Sequence, residues 1–134
     1  MAKMRLQQQV IAVHRNWDNW RGKIKYRRIL ILDGEVRPSA ISPLYKVRIS
    51  FEIGKNPFVK VLSPNLKLYP GKTSLPHVFS DPGSPLCLFW HEFDNTKDLI
   101  AETIIKWITW WLFFYEIWAE TGEWTGGGTH PDRW

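Results

Sequence analysis

Three observations predict an α+β fold: apolar residues at helical spacing open the chain, strict alternation runs through its middle, and a long aromatic helix lies near its end. The 134 residues fit one domain, read here as 1–134. Nine Trp, seven Phe and four Tyr within a 44% apolar composition supply an aromatic core and argue against disorder. The one cysteine, Cys87, cannot close an internal disulfide, and Met1 to Gln9 holds no apolar leader stretch. A reducing, cytoplasmic setting is therefore expected.

From Met1 to Asn19, Met4, Leu6, Val10, Val13 and Trp17 recur at helical intervals among helix formers such as Gln7 to Gln9, which predicts a short N-terminal helix. Ile24 to Leu32 reads as extended, and Asp33-Gly34 as a tight turn leading into Glu35 to Arg37 before Pro38. The clearest strand is Tyr45 to Ile53, where Tyr45, Val47, Ile49, Phe51 and Ile53 alternate with Lys46, Arg48, Ser50 and Glu52. Gly54 to Pro57 turns the chain and Phe58 to Leu62 forms the next strand, completing an antiparallel meander.

Ser63 to Leu86 carries Pro64, Pro70, Gly71, Pro76, Pro82, Gly83 and Pro85, which excludes regular helix and interior strand. A loop of this length in a compact domain is usually functional, and Cys87 stands at its end. The final helix is expected to be capped by Asn95 or Thr96 and closed by Gly122. Its charge-free stretch from Trp107 to Tyr115 is too short to span a bilayer. A polar stripe of Asp98, Glu102, Lys106, Thr109, Glu116 and Glu120, interrupted by Phe113, marks one wet edge, with Glu102 and Lys106 in the favourable i, i+4 order. The row Ile100, Ile104, Trp107, Trp111, Phe114, Trp118 is expected to pack on the sheet, the alternative being a partner groove.

Charge divides the chain: residues 1–72 sum to +11 and residues 73–134 to −6. The basic run Arg21, Lys23, Lys25, Arg27, Arg28, interleaved with Trp20 and Tyr26, is the footprint of an anionic partner or else a solvated strand face. No recognition-helix, ribonucleoprotein or zinc-knuckle pattern accompanies it, which argues against nucleic acid.

For chemistry the sequence offers one nucleophile. Cys87, flanked by Leu86 and Leu88, is either a small buried hydrophobe or a loop thiol, and His77 lies ten residues upstream. Asp81 and Glu92 are the nearby charges, and no Lys or Arg occurs from Thr73 to Thr96. Acidic neighbours oppose thiolate formation, which suits a thiol receiving an activated acyl group better than one attacking an amide. The four histidines show no paired-ligand spacing with the cysteine, and Gly71-Lys72-Thr73 lacks the earlier glycine of a phosphate loop. No metal and no cofactor are expected, and acyl activation must come from elsewhere.

Pro76-His77, then Gly83, then Leu86-Cys87-Leu88, between a meander and a helical C-terminal part, resembles the active-site segment of ubiquitin-conjugating enzymes. The His77 to Cys87 interval equals that between the histidine of their His-Pro-Asn motif and the catalytic cysteine. Val78-Phe79 replaces the Pro-Asn, so the asparagine credited with oxyanion support in eukaryotic members is absent. Leu86-Cys87-Leu88-Phe89, Thr103-Ile104-Ile105-Lys106-Trp107, Tyr115-Glu116-Ile117-Trp118 and the run Thr121 to His130 resemble the bacterial relatives in antiphage cyclic-oligonucleotide signalling (CBASS-type) operons.

That resemblance implies an α+β ubiquitin-conjugating-like domain acting as an acyl carrier: Cys87 forms a thioester with the C-terminal carboxyl of a cyclic-nucleotide-making nucleotidyltransferase and passes it to an amine. His77 would orient the loop or donate to the oxyanion. His130 and Trp124 either fold back toward the site or seal the helix end. Arg27 and Arg28 are the candidate docking positions for an acidic surface of that partner. The rival readings are a catalytically silent scaffold for the nucleotidyltransferase and a nucleic-acid-binding module. No membrane contact is expected.

Overall fold

A computed structural model of the chain describes residues 5–76 and 93–126. Helix α1 (Leu6–Asn16) is followed by four strands, β1 (Trp20–Lys25), β2 (Ile29–Val36), β3 (Tyr45–Phe51) and β4 (Phe58–Ser63), and then by helix α2 (Ile104–Thr121). The strands form one antiparallel sheet in sequence order, the predicted meander. Alternation decides its faces. Trp20, Leu30, Leu32, Val36, Tyr45, Val47, Ile49, Phe51 and Val59 are buried in one core with α2, while their neighbours along each strand face outward.

The first hairpin differs from the reading of the sequence. Asp33-Gly34 is not a turn but lies inside β2, Gly34 opposite Trp20 and Val47. A Cβ on Gly34 would run into the Trp20 indole, so glycine is there to seat a fully buried tryptophan. The chain reverses instead at Tyr26 and Arg27, both left-handed with φ of 55° and 59°, and the Arg28 N–H donates to the Lys25 carbonyl (3.1 Å).

Helix α1 packs along β1, the outer strand. The Gly22 N–H, which has no strand on that side, donates to His14 Nε2 (3.1 Å), so the helix closes this edge of the sheet. Gln9, also on α1, is 1% exposed, and its carboxamide bonds backbone on both ends: Nε2 donates to the Asp98 carbonyl (2.8 Å) and Oε1 accepts the Ile100 N–H (2.9 Å).

That clamp bears on where α2 begins. The helix starts at Ile104 with Thr103 as its N-cap, not at Asn95 or Thr96, and residues 95–103 form successive turns. Two forces hold them out of the helix. Asp94 accepts the Thr96 N–H (2.9 Å) and hydroxyl (2.6 Å) in an Asx-type turn, and Gln9 takes polar groups that a helix ladder would use. The far end is as predicted: Gly122 closes the helix in the left-handed conformation (φ 80°), donating its N–H to the Trp118 carbonyl (2.7 Å).

The buried face of α2 is Ile104, Ile105, Ile108, Trp111, Leu112, Tyr115 and Trp118. Trp107 and Phe114 of the expected row are only half-buried, because the core stripe runs one position over, through Ile105, Ile108 and Leu112. Glu116 of the expected wet edge is also half-buried, and its carboxylate accepts the Ser42 and Tyr45 hydroxyls, each at 2.7 Å. Trp110, by contrast, stands 57% exposed. No helix among the described residues is long and apolar enough to cross a membrane.

Candidate active-site segment and its supports

Cys87 and His77 fall in residues 77–92, and His130 in residues 127–134, all outside the described residues. The stretches that flank the cysteine segment are both fastened to the core.

The incoming limb, residues 64–76, contains neither helix nor strand, in keeping with its prolines. It runs against the C-terminal half of α2. The Lys67 N–H donates to the Tyr115 hydroxyl (2.6 Å), and the Tyr69 ring lies over Gly122, where a Cβ would come within 2.8 Å of the ring. Glycine at 122 therefore serves twice, ending α2 and admitting Tyr69. Leu66, Tyr69 and Leu75 pack on the core, which carries the limb as far as Pro76.

The outgoing limb is held more tightly. Phe93 is buried edge-on against Phe51 of β3, with ring centroids 6.0 Å apart at 85°. Asn95 Nδ2 donates to Asn56 Oδ1 (3.3 Å) in the β3–β4 connection, and the Asp94 N–H donates to Asp98 Oδ2 (2.8 Å). Hydrogen bonds from Thr96 and the nearby Lys97 hold the Asp94 carboxyl below the usual aspartate range. Gln9 and the Trp17 indole, whose Nε1 donates to the Ala101 carbonyl (2.9 Å), then tie residues 98–101 to α1.

Glu116 braces the rear of α2 against the β2–β3 connection. Burial first, and then the hydrogen bond and charge of Glu116, push the Tyr45 hydroxyl far above the tyrosine range. Tyr115 is raised by burial and, less, by the same carboxylate. Both phenols stay neutral and bonded at physiological pH. Trp124 settles against α2, its ring 5.6 Å from Trp111 and 6.1 Å from Phe114, which seals the helix end.

The basic run separates into two groups. Arg21, Lys23 and Lys25 alternate outward on β1, and register places Arg21, Asp33, Arg48 and Lys60 in one row across the sheet. Arg48 is held by Asp33 through two hydrogen bonds of 2.7 and 3.0 Å. Arg27 sits in the reversed turn, and Arg28 reaches Glu52 at 3.8 Å, where Lys55 is the closer partner at 2.9 Å. The open face of the sheet is thus basic well beyond the segment legible in the sequence, because strands distant in sequence add Lys46, Arg48 and Lys60 to it. Among the described residues no group of three or more His, Cys, Asp or Glu could hold a metal ion.

Gln9, Tyr115, Glu116 and Asp94 were not legible as supports. Only one signal hinted at them: Gln9 is polar on the face of α1 that Leu6 and Val13 bury.

A helix, a four-stranded antiparallel meander and a long closing helix, with the single cysteine lying in sequence between the meander and that helix, define an α+β protein. A family model described as Type II CBASS E2 protein matches residues 9–131, and the chain belongs to that family. It therefore has an E2-like role in CBASS defence, working with other proteins of that system. No curated protein matches the chain.

Proposed function

We propose that the chain is a ubiquitin-conjugating-like acyl carrier whose Cys87 forms a thioester with the C-terminus of the CBASS nucleotidyltransferase and delivers it to an amine. The family match over residues 9–131 carries this reading, joined to the presence of one cysteine in the whole sequence. The Cys87 thiol loses its proton and adds to a carboxyl activated elsewhere, and the activating group departs as the thioester forms. An amine then adds to the same carbonyl, the thiolate leaves, and an amide remains with the proton passed to solvent or a base. His77 serves the oxyanion of these steps or orders the segment around Cys87, and the core contacts of Leu75 and Phe93, on either side in sequence, support this reading.

The open basic face, with Arg27 and Arg28 at its hairpin, steers an acidic surface of the nucleotidyltransferase into contact. Reversing both arginines to Glu should slow association at low salt and flatten its salt dependence, and unchanged kinetics would return the cluster to a solvated strand face. Intact mass of the protein purified with its operon neighbours, before and after a thiol reductant, tests the chemistry. A reductant-labile adduct that Cys87→Ala abolishes is the expected result, with Cys87→Ser leaving a stable oxyester. Full conjugation by Cys87→Ala would remove the cysteine from the mechanism. The second reading, a silent scaffold, draws on Val78-Phe79 standing where the oxyanion asparagine would be, and predicts tight partner binding with no adduct.

A further inference from the structure

Away from the cysteine segment, a groove of about 290 Å³ lies where the end of α1, the end of β2 and the outer face of α2 meet. Six of the residues lining it carry the argument: Trp17, Asn19, Glu35, Arg37, Lys106 and Trp110. Part of its wall is fixed in advance. The Trp17 indole is tied to the Ala101 carbonyl, and Asn19 Nδ2 donates to the Glu35 carbonyl. Trp110 also lines the groove, a large ring left 57% exposed halfway along a helix whose neighbours Trp111 and Leu112 are buried. Lys106 stands one helical turn before Trp110 and so on the same face. Neither Lys106 nor Arg37 is ion-paired within the described residues, and Lys106 does not pair with Glu102 as its spacing suggested.

The volume falls just below the range of about 300–1,000 Å³ in which small-molecule pockets occur, room for one planar ring with one charged appendage rather than for a chain. Indole faces take planar aromatic rings, and two uncompensated cations suit a dianionic phosphate. The Glu35 carboxylate, also in the lining, can accept hydrogen bonds from an exocyclic amino group. We propose that this groove binds a single nucleotide unit, its amino-bearing base against Trp110 and Trp17 and its phosphate between Arg37 and Lys106. This site is independent of the thioester chemistry. The unit is either a free mononucleotide or one nucleotide of a longer oligonucleotide.

Isothermal titration calorimetry of the full chain against AMP, adenosine, inorganic phosphate and 5′-phosphorylated diadenylate tests the proposal. AMP is expected to bind at least about fivefold more tightly than adenosine or phosphate, because only AMP engages both halves of the groove. Diadenylate binding more tightly than AMP would assign the oligonucleotide as the source, and equal or weaker binding the mononucleotide. Trp110→Ala and, separately, Lys106→Glu should each weaken AMP by about fivefold or more while Cys87 alkylation and the far-ultraviolet circular dichroism stay as in the parent. Phosphate binding as well as AMP would reduce the groove to an anion site and overturn the proposal. So would absence of AMP binding at millimolar concentration, AMP affinity unchanged in both variants, or displacement of AMP by an acidic peptide at equal concentration.

Discussion

Replacing Gln9 by Leu preserves the volume of a buried side chain while removing both of its hydrogen bonds, so it isolates the clamp between α1 and residues 98–100. In the parent, the Asp98 carbonyl and the Ile100 N–H are satisfied at 2.8 and 2.9 Å by a side chain only 1% exposed. With leucine, two backbone groups lose their partners, each at about 1–3 kcal/mol, while the new apolar surface returns part of the loss. A net destabilisation of about 2–4 kcal/mol is expected, a large share of the roughly 5–15 kcal/mol that holds a typical domain folded. Urea unfolding followed by circular dichroism measures it, with the midpoint falling and the slope unchanged if the folded state keeps its compactness. Trp17→Phe removes the neighbouring bond to Ala101 and should cost about 1 kcal/mol. The two changes act on one stretch of backbone, so together they should depart from additivity. A Gln9→Leu protein within about 0.5 kcal/mol of the parent would refute the idea that this glutamine, rather than apolar packing alone, fixes residues 98–101.

Three further outcomes are expected. His77→Ala should lower the rate of conjugation about a hundredfold to a thousandfold, the usual loss for one oxyanion donor, with partner affinity retained; equal loss of both would mark it as a loop-ordering residue. Arg27→Gly should raise stability by about 1 kcal/mol in urea unfolding, since a side chain at φ 59° is strained and glycine is not, and a lower midpoint would show that the arginine side chain contributes more than its backbone costs. Tyr45 has its hydroxyl raised above the ordinary value by burial and Glu116, so its stabilisation is complete below about pH 10 and is lost as pH climbs through the folded-state value. Stability measured from about pH 9 to 11 should therefore fall less steeply in Tyr45→Phe than in the parent.

How far the sequence reveals this molecule depends on whether a residue's role is set by near or distant neighbours. The strand Tyr45 to Phe51 is legible because every second residue is apolar and both faces have one fate. Gly122 is legible because a helix end needs a left-handed residue whatever surrounds it. The first hairpin is not, for Tyr26 and Arg27 carry none of the glycine or asparagine that marks a reversed turn, while Asp33-Gly34 carries it where Trp20 needs space. The start of α2 escapes for a similar reason, since Gln9 acts on residues 98–100 across some ninety positions of sequence. The exposed Trp110 was hidden among aromatic neighbours that do form the core. Cys87 and His77 rest on pattern and family alone.

The way α1 lies along β1 has a bearing on crowding. A bare strand edge offers its N–H and C=O groups to any other strand it meets, and copies of one protein are the strands it meets most often. On the β1 side that invitation is withdrawn by the helix, with His14 occupying the Gly22 N–H. On the β4 side the means are different: the strand is six residues long, carries Lys60 at its centre, shifts register opposite Lys46 and Val47, and runs straight into Pro64. A short, charged, irregular edge is a poor template for extension. An otherwise sticky chain, with twenty aromatic side chains, is thus kept from stitching itself sheet to sheet when many copies are made at once.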